Sequence, residues 1–152
     1  MPTVFILIGV TGVGKSTWAL HNIPSTYEYI SSDMYIEDHA RNTGKTYTEV
    51  FPTYVSTAIE LMWRDVKNAY SLGKNIVWDQ TNTTIASRRK KIEFLIGYNK
   101  VALVFTTPPI EELYRRLEMR PNKIIPKNIL QNMINGWEEP SIEEGWDDIR
   151  YI

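Results

Sequence analysis

Gly9-Val-Thr-Gly-Val-Gly-Lys-Ser16, with Thr17 behind it, decides how the rest of the chain is read. The run fits the P-loop (Walker A) template of a glycine, four residues, then Gly-Lys-Ser/Thr. The apolar run Val4-Phe-Ile-Leu-Ile8 leads into it, and Thr17-Trp-Ala-Leu20 continues it as the start of a helix. Strand before and helix after is the context the motif requires. Gly9, Gly12 and Gly14 are read as positions where the backbone takes positive φ and approaches an anion closely. Successive N–H groups then point at phosphate oxygens, at the positive end of a helix dipole. The nucleotide-binding set is therefore Gly9, Thr11, Gly12, Val13, Gly14, Lys15, Ser16 and Thr17. Lys15 reaches the β and γ phosphates, and Ser16 offers its hydroxyl to Mg²⁺.

Working outward, 152 residues suggest one domain spanning 1–152, and 43% apolar with 23% charged residues is ordinary for a globular protein. Cysteine is absent, which excludes disulfides and cysteine-ligated zinc, and the isolated His21 and His39 have no metal-ligand spacing. No apolar run approaches a membrane span, so no membrane partner is expected. The apolar start at Val4 lacks a basic lead-in and a cleavage site, so a cytoplasmic protein is expected. A net charge of −1 gives no global basic field, so a nucleic acid would have to be held locally, as a transiently visited strand end.

Along the chain, Tyr27–Ser31 reads as a second strand and 33–43 as a short helix closed by Gly44. Val55, Ile59, Met62, Val66 and Ala69 recur at helical spacing, with Pro52 near the start of that helix and Gly73 past its end. Asn75–Asp79 reads as a third strand. Thr83 or Thr84 caps a helix whose broad apolar side is Ile85, Ile92, Phe94, Leu95 and Ile96. Lys100–Thr106 is apolar nearly throughout, a fourth strand buried on both faces. Helices follow from Pro109, ending near Arg120, and from Pro126. An acidic tail and a short last strand at 149–152 close the chain. Strands alternating with helices predict an α/β fold, a three-layer α/β/α sandwich around a parallel sheet of four or five strands. By analogy with small P-loop kinases the expected strand order is 2-3-1-4-5, with a helical lid.

Three features go beyond phosphate binding. Asp33, just past the second strand, suits a carboxylate that takes the proton of an acceptor hydroxyl, or equally a helix N-cap. Asp79, in Asp79-Gln-Thr-Asn82, stands where a carboxylate acts on Mg²⁺, often through water; Thr81 and Asn82 follow it as acceptor-side candidates, or as a turn. Arg116 and Arg120, four apart on one helix face, suit a clamp on the transferring phosphate, although Glu112 and Glu111 would pair with neighbouring arginines in much the same pattern. Arg88-Arg-Lys-Lys91 is the only basic run. It reads as a solvated helix face more readily than as a nucleic-acid contact, with Arg88 a further acceptor-side candidate.

Taken together, the P-loop, Ser31-Ser-Asp33, Asp79-Gln-Thr-Asn82 with Arg88-Arg89 behind it, and Arg116-Leu-Glu-Met-Arg120 followed by Ile125-Pro126 resemble the phage-type polynucleotide 5′-hydroxyl kinase family. The resemblance covers Val4 to about Trp146. It implies a phosphotransferase with an alcohol acceptor, using ATP and Mg²⁺. Lys15 and Ser16 would bind phosphate and magnesium, and Asp33 would be the general base. Asp79 would support the metal and the acceptor, and Arg116 and Arg120 would be lid arginines. ATP is favoured over GTP because no Asn-Lys-x-Asp run is present. One position departs from the family: the arginine commonly found three residues after the base is Ile36 here. The expected activity is transfer of the γ-phosphate to the 5′-hydroxyl of a DNA or RNA end. The alternatives are a kinase for a small alcohol, nucleoside or hydroxymethylated base, and a non-catalytic nucleotide-binding switch or ATPase module.

Overall fold

The computed structural model describes residues 1–152. Five parallel strands, β1 (Thr3–Ile8), β2 (Glu28–Ile30), β3 (Ile76–Asp79), β4 (Asn99–Val104) and β5 (Asp148–Tyr151), form one sheet in the order β2-β3-β1-β4-β5. This is the expected order. Six helices connect them: α1 (Lys15–Asn22), α2 (Ser32–Thr43), α3 (Tyr47–Ser71), α4 (Ile85–Phe94), α5 (Ile110–Glu118) and α6 (Lys127–Asn135). None is long and apolar enough to cross a membrane.

The two-residue period of β1 makes the three layers. Val4, Ile6 and Ile8 point to one face, where they pack with Met62 and Val66 of α3 and Ile92 of α4. Phe5 and Leu7 point to the other, against Ala19 and Trp18 of α1. α2 and α3 share a separate small core of Ile36, Ala40, Tyr47, Val50 and Ala58. α5 and α6 meet through Leu113, Leu117 and Leu130, which pack on Val10 and Val13 of the P-loop and place this helical pair as a lid beside it.

Four expectations change. α3 begins five residues before Pro52, because Thr46 and Glu49 form a capping box in which the Glu49 N–H donates to Thr46 Oγ1 (3.2 Å) and the Thr46 N–H to Glu49 Oε1 (3.1 Å). Pro52 then sits in the second turn, and the Thr48 carbonyl lacks its intrahelical donor. α4 stops at Phe94, which leaves Ile96 73% exposed rather than in the core. Ile59 is partly exposed because it faces the cleft beside α3. The acidic segment after α6 is part of the fold, with Trp146 buried in the main core, while the last strand is as expected and pairs with β4.

Candidate active site

The site lies at the C-terminal ends of β1, β2 and β3, where the chain turns into α1, α2 and the loop before α4. In open α/β sheets this edge carries the ligand. A cleft of about 940 Å³ joins the P-loop, α2, α3, the end of β3 and the loop between α5 and α6.

The P-loop is built as the sequence implies, with one difference. Gly12 and Gly14 both take φ of 92°, as expected. Gly9 does not take positive φ; it is needed for space. A Cβ there would lie 2.9 Å from Val13 Cγ2 and 3.0 Å from Phe105 Cβ. Lys15 is nearly buried, and its ammonium donates to the carbonyls of Gly9 (2.9 Å) and Val10 (3.2 Å). Burial lowers its pKa to about 8, against the opposing pull of Asp79 and Asp33, with Lys123 and Arg120 adding to the decrease.

Ser16 Oγ donates to Asp79 Oδ2 at 2.6 Å, and the Tyr29 hydroxyl donates to the same oxygen. Tyr29 is thereby held protonated, its pKa raised by burial and by the Asp79 charge. Two hard oxygens at the cleft floor fit Mg²⁺, which takes one or two protein oxygens and completes its shell with phosphate and water. No cluster of three or more His, Cys, Asp or Glu side chains offers an all-protein cage.

Asp33 sits in the first turn of α2, where neither it nor Ser31 makes a side-chain cap. Its carboxylate faces the cleft instead. Oδ1 accepts from the Tyr47 hydroxyl (2.7 Å) and Oδ2 from Lys123 Nζ (2.7 Å). Burial pushes the carboxyl up, but the charge and hydrogen bond of Lys123, the Tyr47 hydroxyl and the Lys15 charge outweigh it, so Asp33 lies below the ordinary carboxylate range. An ionised carboxylate across a cleft from the phosphate loop is what in-line phosphoryl transfer to a hydroxyl asks for.

Arg116 and Arg120 do not share a helix face. α5 ends at Glu118, so Arg116 lies on the helix and Arg120 beyond it. Arg116 donates from Nη1 to the Gly12 carbonyl (3.3 Å) and from Nε to Glu112 (3.1 Å), tying the lid to the P-loop. Arg120 lines the cleft. Glu112 also pairs with Arg115.

Of the acceptor-side candidates, Asp33, Asp79 and Thr81 line the cleft, while Asn82 and Arg88 do not. Asn82 is buried in the left-handed region at φ 51°. Its amide donates to the Leu7 carbonyl (2.7 Å) and its Oδ1 accepts from Lys91 (2.6 Å), while the Thr81 carbonyl accepts from the Gly9 N–H (2.9 Å). Asn82 therefore fixes the β3–α4 loop against β1 and the P-loop. Arg88 is fully buried, donating to Glu144 (2.7 and 3.2 Å) and to the Asn82 carbonyl (2.9 Å). Half of the basic run is thus internal, not a solvated face. Sequence reasoning missed Lys123 and Tyr29 as residues of this cleft. Ile36, at the position of the missing arginine, is 1% exposed within the α2–α3 core, where a cation would lose its water.

A family model described as AAA domain matches residues 4–140. The human heterogeneous nuclear ribonucleoprotein U-like protein 2 is 23% identical over 159 residues, covering 97% of this chain and 21% of that protein. The chain thus spans about a fifth of the length of the curated relatives it matches. Among solved structures, the PezAT chromosomal toxin-antitoxin system of Streptococcus pneumoniae aligns with a TM-score of 0.68 at 22% identity, over 99% of this chain and 68% of that one. The Pnkp1/Rnl/Hen1 RNA repair complex aligns with a TM-score of 0.70 at 23% identity, over 89% and 43%. Shikimate kinase from Acinetobacter baumannii aligns with a TM-score of 0.56 at 18% identity, over 99% and 83%. At such identities these likenesses show the fold, which is P-loop kinase-like.

Proposed function

We propose, for a chain that belongs to the AAA domain family, an ATP-dependent kinase activity that moves the γ-phosphate to a hydroxyl, with the 5′-hydroxyl of a DNA or RNA end as acceptor. The observation that carries this reading is the placement of Asp33 in the same cleft as Lys15, Ser16 and Asp79. A switch or simple ATPase module has no use for that carboxylate.

In this reading the P-loop N–H groups and Lys15 hold the donor's phosphates. Arg120, from the lid side, meets charge on the transferring group. Ser16 and Asp79 would hold Mg²⁺, which neutralises phosphate charge when bound. Asp33 orients the acceptor hydroxyl and takes its proton as the acceptor oxygen–phosphorus bond forms and the bond from phosphorus to the β–γ bridging oxygen breaks, releasing ADP. The cleft also holds Phe51, Val55 and Ile59 of α3 with Ile129 and Met133 of α6, an apolar stretch suited to a base.

A second reading, a nucleoside, small alcohol or hydroxymethylated base as acceptor, draws on Ile36: no cation stands one helical turn beyond the base to meet an acceptor-strand phosphate. Labelled ATP offered to 5′-hydroxyl oligonucleotides and to a panel of small alcohols and nucleosides separates the two. Labelled oligonucleotide is the expected result; label in small products alone overturns the polynucleotide acceptor.

A further inference from the structure

Asp33 and Lys123 are 90 positions apart, yet their side chains meet at 2.7 Å. Lys123 belongs to the loop between α5 and α6, which is stitched to the start of α3. The Ile124 N–H donates to Thr48 Oγ1 at 2.8 Å, and the Lys123 ammonium lies 4.4 Å from the Tyr47 ring centroid. The lysine side chain is only 11% exposed. So the lid loop reaches over the cleft and closes on the candidate base and on the tyrosine that holds its other oxygen.

The titratable groups that share the cleft with Asp33 come from every element packed about it: Lys15 from α1, Tyr29 from β2, Glu37 and Arg41 from α2, Lys45 just beyond it, Tyr47 from α3, Asp79 from β3, and Arg120 and Lys123 from the lid loop. Five cations and three carboxylates share one cleft. A donor nucleotide brings several negative charges into it, on the side of Lys15. An ammonium is a compact charge with three donors on a flexible four-carbon stem, so it can change partners where a forked guanidinium would have to break a planar pair.

We propose, on the kinase reading above, that Lys123 is a positioning residue coupling donor binding to the base: it holds the Asp33 carboxylate ionised and pinned against α3, and shifts its ammonium toward the donor's γ-phosphate when the nucleotide enters, freeing Oδ2 for the acceptor hydroxyl. Lid position and base availability then change together. Without a nucleotide the lysine occupies Oδ2 of the base; with one, the same lysine adds to the positive charge over the transferring group.

The test uses the full chain. The Asp33 carboxyl is followed by ¹³C NMR through a pH titration in wild type, Lys123→Met and Lys123→Arg, each with and without a non-hydrolysable ATP analogue and Mg²⁺. Loss of the charge in Lys123→Met is expected to raise the Asp33 midpoint by about one pH unit or more, tenfold in proton affinity, and Lys123→Arg to restore it. The analogue is expected to raise the midpoint further in wild type than in Lys123→Met, because only wild type has a lysine to withdraw. Lys123→Gln, which keeps a hydrogen bond and drops the charge, gives the same reading should the methionine variant not fold. The acid limb of kcat/KM for the phosphate acceptor should move with the midpoint. An unmoved midpoint in Lys123→Met, or equal analogue-induced shifts in both proteins, overturns the proposal. If no acceptor is phosphorylated, the kinase reading fails while the carboxyl titration still decides the role of Lys123.

Discussion

Asp33→Asn is expected to lower turnover with a hydroxyl acceptor by roughly 10²- to 10⁴-fold, the range for a removed general base, while ATP binding is retained. The substitution preserves shape. Tyr47 can still donate to the amide oxygen, and α2 loses no cap, because the Asp33 side chain does not cap it. What disappears is the capacity to accept a proton and the charge opposite Lys123. On the kinase reading the donor is held by Gly12 to Ser16 across the cleft, none of which is replaced. Steady-state phosphate transfer alongside direct nucleotide binding separates the two effects. If Asp33→Asn transfers phosphate, or hydrolyses ATP, at the wild-type rate, the carboxylate has no part in chemistry and a switch or ATPase module becomes the better description.

The second large effect concerns stability. Arg88→Met is expected to cost about 3–5 kcal/mol, the range for breaking a buried ion pair by removing one partner. The Arg88 side chain is 0% exposed and that of Glu144 only 7%. The variant would leave the Glu144 carboxylate without its cation and the Asn82 carbonyl without the Nη1 donor. Chemical denaturation gives the difference directly, and Arg88→Met with Glu144→Leu should recover a good part of it, since the remaining charge is then gone. A loss under about 1 kcal/mol would instead match a solvent-exposed pair. The effect should reach the site too. Asn82 joins this pair to Leu7 at the end of β1, so loosening it loosens the strand that carries the P-loop.

The sheet and the donor half of the site were legible because local patterns specify them. Apolar runs mark the buried strands, and the P-loop spacing fixes Lys15 and Ser16 whatever the rest of the chain does. The acceptor half was only partly so. Asp33 could be found by its place after β2, but its partner Lys123 lies between Pro121 and Pro126 with no period, and nothing local in that loop says which residue it will meet. Arg88 misled for a related reason. A basic run on a helix looks solvated unless a matching acid is known to fold back on it, and Glu144 looked like part of an acidic tail. The Arg116/Arg120 pairing failed by two residues: i to i+4 spacing puts residues on one face only where the helix persists, and α5 ends at Glu118. Thr46 and Glu49 did carry a readable start signal for α3; Pro52 drew attention away from it.

The small core shared by α2 and α3 has a bearing on motion. Ile36, Ala40, Tyr47, Val50 and Ala58 pack with one another rather than with the sheet, whereas Met62 and Val66, farther along α3, belong to the sheet's own core. The front of the α2–α3 hairpin can therefore open as a cooperative unit without disturbing the strands. In native-state hydrogen exchange its amides should share one opening free energy, lower than that of β1 and β4. Asp33 would ride on that unit while Lys15 stayed on the slow-exchanging platform, so the distance between base and donor would be set by a local unfolding equilibrium and not only by the lid.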